Sequence, residues 1–498
     1  DSGLVAPAPA SPAGYPLVLD AAHRLYFARH FNQEQRVASA LAARTRTEPY
    51  AGASAAAIEA ALDRQFPPGE ADPDQRAAAR LALTQPFAAI TGGPGTGKTT
   101  TVARLLAVMA ALGDPATPPL VLAAPTGKAA NRLVESIAKA KDALRAAGTP
   151  PEDLARIPTE ARTLHRLLGM RAGVQQPRYH AGNPLPLGVL VVDEASMVDL
   201  TMMARVLAAL PSNARLVLLG DADQLSSVEA GAVLGDLCDA ARTRGPRSFL
   251  AALTRSHRFS SEGGIGRLAN AIRAGDATAT LAALDDGAEV RLEAGSLEAL
   301  TGRAVEAWRA CFNADSPAGA LEGLGRFRVL CALREGPEGV ATVTALVERA
   351  LAQARLIAPD ERYYRGRPLL VTANDYTVEL FNGDVGIVWP DANGVLRAWF
   401  AGAGGQPRAV PTNRLPAHET AFAMTVHKAQ GSEFDEIALV LPPRESAVLS
   451  RELLYTAVTR ARQRVAIHAT AASIERCLGR PVARTSGLRD ALLAQLEP

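Results

Sequence analysis

The sequence lacks several features that define whole classes of protein. Its 498 residues carry a formal net charge of only +2, so no overall basic field indicates a nucleic-acid ligand, although a locally basic groove stays compatible with one. No uninterrupted apolar run approaches the roughly 20 residues of a membrane-spanning helix, and we expect no membrane segment. The Ala/Pro-rich start has no basic stretch followed by an apolar one, which favours a flexible leader over a signal peptide.

Cysteine is also scarce. The chain has 4 cysteines, which are far apart and form neither a CxxC pair nor a zinc-like cluster. This pattern predicts reduced, buried thiols in a cytoplasmic protein. The four residues are Cys238, Cys311, Cys331 and Cys477.

Lysine is rare beside arginine, with only a handful among the 53 basic residues. Lys98, Lys128 and Lys428 nevertheless each lie in a glycine-containing motif. A lysine presents a compact point charge on a flexible stem, which the planar arginine fork does not reproduce. These three motifs are therefore the first places to look for chemistry.

Short apolar runs alternate with helical stretches along most of the chain. Buried strands that alternate with helices predict doubly wound parallel sheets, and two sets of strands predict two α/β lobes. The first set is 87–91, 120–124, 189–192 and 216–220; the second is 327–332, 369–372, 437–441 and 465–468. The segment from 15 to 69 is interpreted as helical, and the turn-rich β-formers of 374–415 as a small inserted β-domain.

We therefore expect an α/β fold with four parts. Residues 1–70 form a helical N-terminal domain for partner docking, and 71–250 form the first α/β lobe. The second lobe combines 251–372 with 416–498, and 373–415 form a small β insertion of SH3-like type.

The segment from Gly92 to Thr99 fits the pattern GxxxxGK[ST] in full. It follows an apolar strand and precedes a helix closed by Gly113, which is the context that this phosphate-binding loop requires. Glycines let the backbone wrap around phosphates at a helix N-terminus. The motif predicts ATP and Mg²⁺ as cofactors, with Lys98 on the β- and γ-phosphates and the Thr99 hydroxyl on Mg²⁺. The predicted nucleotide-binding residues here are Gly92, Gly93, Pro94, Gly95, Thr96, Gly97, Lys98, Thr99 and Thr100.

A second apolar strand ends in two adjacent carboxylates, Asp193 and Glu194. Asp193 is placed to hold Mg²⁺, and Glu194 to polarise an attacking water. Taken alone, such a strand end could merely cap a helix. Together with the phosphate-binding loop, it predicts ATP hydrolysis.

Further motifs follow one another along the chain, so that the series is GGPGTGKTTT, APTGKAA, TLHRLLG, VVDEASM, GDADQLSSVEAG, FNGDVG and TVHKAQGSEFD. The order of these motifs resembles the superfamily 1 helicases from about residue 72 to residue 470, and most closely the RecD family, the α subunits of RecBCD exodeoxyribonuclease V complexes. The resemblance implies two RecA-like lobes that close on ATP and reopen after hydrolysis, moving along single-stranded DNA in the 5′→3′ direction. It also implies double-strand-break repair at duplex DNA ends, together with RecB-like and RecC-like subunits.

Several site residues follow from the same resemblance. Gln75 would contact adenine, because an amide can both donate to and accept from a base edge. Gln224 would sense the γ-phosphate, and Glu433 is a weaker candidate for a nucleotide contact. Arg258 and Arg460 would stabilise charge on the γ-phosphate when the lobes close, with Arg255 a competitor of Arg258.

The resemblance places DNA contacts at the tips of the motif loops, where hydroxyl, backbone N–H and imidazole groups suit phosphates and stacked bases. Each residue has an alternative structural role; the two histidines, for example, could be buried helix partners. The predicted residues are Pro125, Thr126, Lys128, Thr163, His165, Thr425 and His427.

Other functions remain as alternatives. A free-standing RecD-like helicase usually carries helix-hairpin-helix elements before the motor, and none is found here. The helicase half of a relaxase would need clustered N-terminal histidines, whereas His23 and His30 are sparse. A decayed, non-catalytic DNA-binding scaffold conflicts with the intact motifs. Because no nuclease-like carboxylate cluster is found, DNA cleavage is expected from a partner.

Overall fold

The computed structural model describes residues 5–7, 15–67, 69, 72–113, 118–171, 173–227, 229, 231–245, 248–259, 263–285, 287, 289–294, 297–375, 377–402, 406–481 and 486–496. The chain divides into two compact units. The first comprises Asp1–His257 and Arg484–Pro498, and the second comprises Arg258–Ala483.

The first unit contains a six-stranded, wholly parallel sheet of order β6-β5-β7-β8-β4-β9. Its strands are β4 (Phe87–Gly92), β5 (Leu120–Ala124), β6 (Ala161–Thr163), β7 (Val189–Val192), β8 (Arg215–Gly220) and β9 (Leu250–Leu253), preceded by β1 (Val5–Pro7), β2 (Leu17–Leu19) and β3 (Leu25–Phe27). Its helices are α1 (Ala28–Ala42), α2 (Ala55–Gln65), α3 (Pro73–Thr84), α4 (Lys98–Leu112), α5 (Gly127–Ala146), α6 (Pro151–Arg156), α7 (Leu164–Leu167), α8 (Leu200–Ala209), α9 (Val233–Arg244) and α17 (Leu488–Leu496).

Helices cover both faces of this sheet, as a doubly wound fold requires. Successive residues of β4 enter different cores: Phe87 and Ala89 pack with α1, α8, α9 and α17, whereas Ala88 and Ile90 pack with α2 to α5. All six residues of β4 are buried. The parallel lobe and four of its strands are thus confirmed, and β6 and β9 are added to them.

The N-terminal region differs from the expectation. Residues 17–19 and 25–27 are strands of a three-stranded sheet, so the helical interpretation from Tyr15 onward is wrong for this stretch. The following helices share the cores of the parallel sheet, with Leu41 of α1 in one core and Leu62 of α2 in the other. The C-terminal helix α17 also packs in the first unit, and not with the second lobe as we expected for 416–498.

The second unit contains a five-stranded parallel sheet of order β10-β19-β18-β11-β17. The strands are β10 (Val290–Glu293), β11 (Phe327–Cys331), β17 (Ala423–Thr425), β18 (Phe434–Val440) and β19 (Ala461–His468). The helices are α10 (Gly264–Ala274), α11 (Ala277–Asp285), α12 (Glu298–Phe312), α13 (Pro317–Arg326), α14 (Val340–Gln353), α15 (Arg451–Val458) and α16 (Ala471–Leu478). Trp308, Phe312, Phe327 and Phe422 form the aromatic centre of the core on one face. Together the two units are a pair of RecA-like α/β lobes.

A second sheet of this unit is antiparallel, with order β15-β14-β13-β12-β16. Its strands are β12 (Pro368–Val371), β13 (Val385–Pro390), β14 (Leu396–Ala401), β15 (Pro407–Pro411) and β16 (His418–Thr420). The run 369–372 was expected in the parallel sheet, and that expectation is wrong. The β insertion therefore includes strands on both sides of 373–415, while its SH3-like type stays a prediction.

The four cysteines are free and buried, as expected. Burial raises the pKa of each thiol to about 12, so the neutral, unreactive form dominates. Within the described ranges no helix is long and apolar enough to cross a membrane.

A buried carboxylate attaches α17 to α1. Glu34 is only 4% exposed and accepts hydrogen bonds from Ser486 Oγ at 3.0 Å and from the Gly487 backbone N–H at 3.0 Å. Burial, with a smaller contribution from the charge of Asp236, raises the pKa of Glu34 to about 7, although the hydrogen bonds from Ser486 and Gly487 lower it. The neutral form therefore predominates in the folded protein below about pH 7.

This raised pKa predicts that the free energy of unfolding falls as the pH rises from mildly acidic to neutral. An acid whose pKa rises on folding stabilises the protein fully below its unfolded pKa, and this contribution disappears as the pH rises through about 7. Glu34→Gln should remove roughly 1–3 kcal/mol of this pH dependence, because glutamine stays neutral and can still pair with Ser486 and Gly487. Urea midpoints of the full chain at pH 5.5 and 8.5 test this; an unchanged pH dependence in the variant would contradict it.

Candidate functional site

The phosphate-binding loop connects β4 to α4, so the helix begins at Lys98. The Lys98 ammonium donates to the carbonyls of Gly92 at 2.6 Å and Gly93 at 3.0 Å. Thr96 Oγ1 also donates to the Gly93 carbonyl at 2.8 Å. The loop is thus closed by its own side chains, and its N–H groups lie at the positive end of a helix of 15 residues.

Two glycines of this loop are required by close contacts. Gly97 has φ +79°, and a Cβ there would lie 2.5 Å from Gln75 Nε2. A Cβ at Gly92 would meet Thr96 Oγ1 at 2.6 Å and the Leu253 carbonyl at 2.9 Å. A side chain at Gly92 would therefore push against backbone, whereas one at Gly97 would strain the left-handed conformation and displace the Gln75 amide.

Gln75, the predicted adenine contact, is buried on α3 beside the loop. Its amide Nε2 donates to the Thr96 carbonyl at 3.3 Å and lies 3.4 Å from His257 Nε2. His257 in turn donates its backbone N–H to the Gly95 carbonyl at 2.8 Å. The sequence interpretation missed His257, although it directly precedes the predicted Arg258.

Asp193 and Glu194 follow β7, two strands away from β4 in the sheet. Removal from water raises the pKa of Asp193, and the charge of the neighbouring Glu194 also raises it. The positive charge of Lys98 lowers this pKa, and so does the Glu194 backbone N–H, which donates a hydrogen bond to Asp193 at 2.8 Å. Glu194 has the left-handed backbone conformation (φ 52°, ψ 40°), which costs a non-glycine residue about 1 kcal/mol. Such strain is commonly retained where function needs a side chain in one direction.

Asp221 is a further acid that the sequence interpretation did not single out. It follows β8, the strand between β7 and β4, and is 2% exposed. Its carboxylate accepts a hydrogen bond from Gln224 Nε2 at 2.8 Å, so the predicted γ-phosphate sensor is held by it. Burial raises the pKa of Asp221, while Lys98 lowers it. Asp221 is the first acid of the motif GDADQL, and the sequence interpretation assigned a role only to the glutamine of that motif.

The charges at this sheet edge fit a magnesium ion. Asp193 and Glu194 repel each other, with Lys98 and Arg132 as the nearby cations, and a divalent cation would relieve that repulsion. Thr99, in the first turn of α4, adds a hydroxyl oxygen of the kind that Mg²⁺ prefers. Among the described residues, no group of three or more His, Cys, Asp and Glu side chains could hold a metal by itself.

In the second unit, Arg460 precedes β19 and is only 4% exposed. Its guanidinium donates to the carbonyls of Thr456 at 3.1 Å and Ser432 at 3.3 Å. The adjacent residue Glu433 accepts from Arg258 at 2.6 Å. The two predicted γ-phosphate arginines and Glu433 therefore lie together.

The predicted DNA residues divide between the two units. Thr126 follows β5 and Thr163 ends the neighbouring strand β6, and each accepts a backbone N–H of the next helix at 3.2 Å. Thr425 ends β17 and caps the next turn through the Lys428 N–H at 3.3 Å. These hydroxyls thus have structural roles, although each retains its proton for donation.

The remaining predicted DNA residues lie beside these threonines. Pro125 and Lys128 flank Thr126 and are partly exposed. His165 is exposed, so it is not a buried helix partner, while His427 is half-buried in a short 3-10 turn. In the first sheet these groups follow the β6-β5 edge, away from the phosphate-binding loop after β4.

Comparisons with known proteins identify related families for both parts of the chain. An AAA domain family model matches residues 70–294, and a UvrD-like helicase C-terminal domain model matches 420–468. The RecBCD enzyme subunit RecD of Mycobacterium tuberculosis is 46% identical over 478 residues, which cover 93% of this chain and 79% of that protein. The chain belongs to the RecD family.

Two further comparisons are more distant. The ATP-dependent RecD2 DNA helicase of Deinococcus radiodurans is 33% identical over 78% of this chain, but over only 47% of its own length. A crystal structure of Pif1 helicase from Bacteroides, in complex with ADP-AlF3 and single-stranded DNA, covers 84% of this chain and 94% of that chain at 17% identity and a TM-score of 0.45. Every predicted site residue of this RecD-family chain lies in one of the two model-matched ranges.

Proposed function

We propose that this RecD-family chain is an ATP-dependent DNA helicase that moves 5′→3′ along single-stranded DNA. One observation carries the proposal: Lys98 interacts electrostatically with both Asp193 and Asp221, and the three residues follow three neighbouring strands of the parallel sheet. Opposite charges at the carboxyl edge of a parallel sheet are typical of a phosphate and metal site.

The chemistry assigned to these residues is in-line attack of water on the γ-phosphate. Lys98 neutralises charge on the β- and γ-phosphates, and Gln75 contacts the adenine. Thr99 and Asp193 would hold Mg²⁺, which supplies further positive charge for the phosphates when bound. Glu194 takes the proton from the attacking water. Gln224, fixed by Asp221, senses the γ-phosphate.

Arg460 and Arg258 stabilise the charge that develops on the phosphate in the transition state. The threonine hydroxyls, Lys128 and the histidines of the motif loops bind the strand without sequence preference. The division of these groups between nucleotide-side and DNA-side strands of the first sheet supports this assignment.

We further propose that the chain works as the RecD-type subunit of a cytoplasmic helicase-nuclease that repairs double-strand breaks, with RecB-like and RecC-like subunits. The high identity to a RecBCD subunit over 93% of the chain supports this. The N-terminal sheet also exposes apolar side chains, with Leu25 61% and Phe27 59% exposed, as a docking surface would. A free-standing RecD-like helicase is the alternative, favoured by the similarity to RecD2.

The test is ATP hydrolysis by the purified chain with and without single-stranded DNA. We expect DNA to raise turnover at least about tenfold, because a motor couples its cycle to the strand, and high salt to abolish the effect. The helicase proposal would be contradicted if single-stranded DNA did not change ATP turnover, either for the chain alone or after addition of RecB-like and RecC-like subunits. Strand displacement on substrates with 5′ or 3′ tails then tests the direction.

A further inference from the structure

In the second unit, the two arginines predicted to contact the γ-phosphate each donate a hydrogen bond to one of two consecutive residues. Arg460 Nη1 donates to the Ser432 carbonyl at 3.3 Å, and Arg258 Nη2 donates to Glu433 Oε1 at 2.6 Å. Ser432 and Glu433 immediately precede β18. The two guanidinium groups are therefore held at one end of one strand.

The backbone explains the position of Arg460 but not that of Arg258. Phe434 pairs with Ala461 in the β18–β19 ladder, and its N–H donates to the Arg460 carbonyl at 2.9 Å. Arg258 lies outside any helix or strand, and 175 residues separate it from Glu433. A short, charge-assisted contact between side chains is the kind that fixes a guanidinium in such a segment.

Both oxygens of Glu433 contact arginines. Oε2 lies 3.2 Å from Arg462 Nη2 and 3.3 Å from Arg462 Nε, while Oε1 contacts Arg258. The Glu433 side chain is 19% exposed, compared with 24% for Arg258. A carboxylate engaged on both oxygens is poorly suited to the nucleotide contact that we predicted for it.

We propose that Glu433 is a positioning residue that fixes the Arg258 guanidinium for the phosphate role proposed above, and does not itself bind the nucleotide. The proposal rests on the ATP hydrolysis proposed above. It assigns the carboxylate of the motif GSEFD to holding an arginine that lies far away in sequence.

Glu433→Gln is expected to act through Arg258. The amide oxygen can still accept a hydrogen bond, but a neutral acceptor holds a guanidinium about half as strongly as a carboxylate. Because losing a whole transition-state donor costs about 10²–10³ in kcat, a loosened one should cost about tenfold. The KM for ATP should change little, because the phosphate-binding loop supplies most of the ground-state contacts.

The experiment is a double-mutant cycle on the full chain, measuring ATP turnover with saturating single-stranded DNA. Arg258→Ala should lower kcat by about a hundredfold, and adding Glu433→Gln to it should lower kcat no further. Losses that multiply would overturn the proposal. Should the glutamine variant unfold, Glu433→Asp keeps the charge, and the same cycle with it should again be non-additive.

A nucleotide analogue separates positioning from direct binding. If Glu433 bound a ribose hydroxyl, the effect of Glu433→Gln would vanish with 2′,3′-dideoxy-ATP; we expect the same relative loss with both nucleotides. Glu436→Gln is the matched control, because Glu436 lies on β18, close in sequence to Glu433, but pairs with Arg303 of α12, and turnover should stay within about twofold. A wild-type chain without DNA-stimulated turnover would count against the helicase, whereas an active wild type with multiplying losses would count against Glu433 alone.

Discussion

Replacing Lys98 with alanine is expected to lower ATP turnover at least about a hundredfold, because the variant loses the cation that neutralises the β- and γ-phosphates. Lys98 also has two partners inside the loop, the carbonyls of Gly92 and Gly93. It lowers the pKa of both Asp193 and Asp221, so its removal leaves two acids without that cation. We expect nucleotide affinity to fall together with kcat.

Lys98→Arg distinguishes charge from shape. Arginine keeps the charge, but its planar fork cannot replace a compact ammonium that lies 2.6 Å and 3.0 Å from two loop carbonyls. We expect this variant to be nearly as inactive as alanine. Lys139→Ala is the control, since Lys139 is exposed on α5 and its loss should leave turnover unchanged. ATP turnover by Lys98→Ala at a rate close to that of the wild type would contradict the phosphate-binding role of Lys98.

The sequence was most informative where function is local. The phosphate-binding loop, its flanking strand and helix, and the acids after β7 all lie within short motifs, and the structure has β4, α4 and β7 where the pattern predicts them. The roles of these residues remain predictions. Local pattern did not separate Asp221 from a structural acid, because its burial depends on the neighbouring strands.

The wrong structural predictions concern segments whose structure depends on pairing with residues far away in the sequence. The run of β12 is apolar and buried throughout, which fits a parallel strand as well as the antiparallel one that it forms. Strands of three residues, such as β2 and β3, are too short to show an alternation. The pair between Arg258 and Glu433 spans 175 residues, and no local pattern indicates it.

The second large effect is expected for Glu194→Gln. Glutamine keeps the size of the side chain but cannot take the proton from the attacking water, so kcat should fall about 10²–10⁴-fold. Nucleotide binding should be kept or strengthened, because one negative charge near the phosphates is removed. The pKa of Asp193 should also fall, since Glu194 contributes to raising it. The variant should therefore bind ATP and single-stranded DNA while hardly hydrolysing the nucleotide.

Single-turnover hydrolysis and binding of a fluorescent ATP analogue separate these effects. Glu194 has a strained left-handed backbone, and glutamine adopts that conformation no less readily than glutamate, so the thermal midpoint of the variant should match that of the wild type. Glu135→Gln, an exposed change on α5, controls for the loss of a carboxylate in the same unit. A variant that hydrolyses ATP normally would mean that Glu194 is not the base. Asp221, the other buried acid beside Lys98, would then be the next group to test.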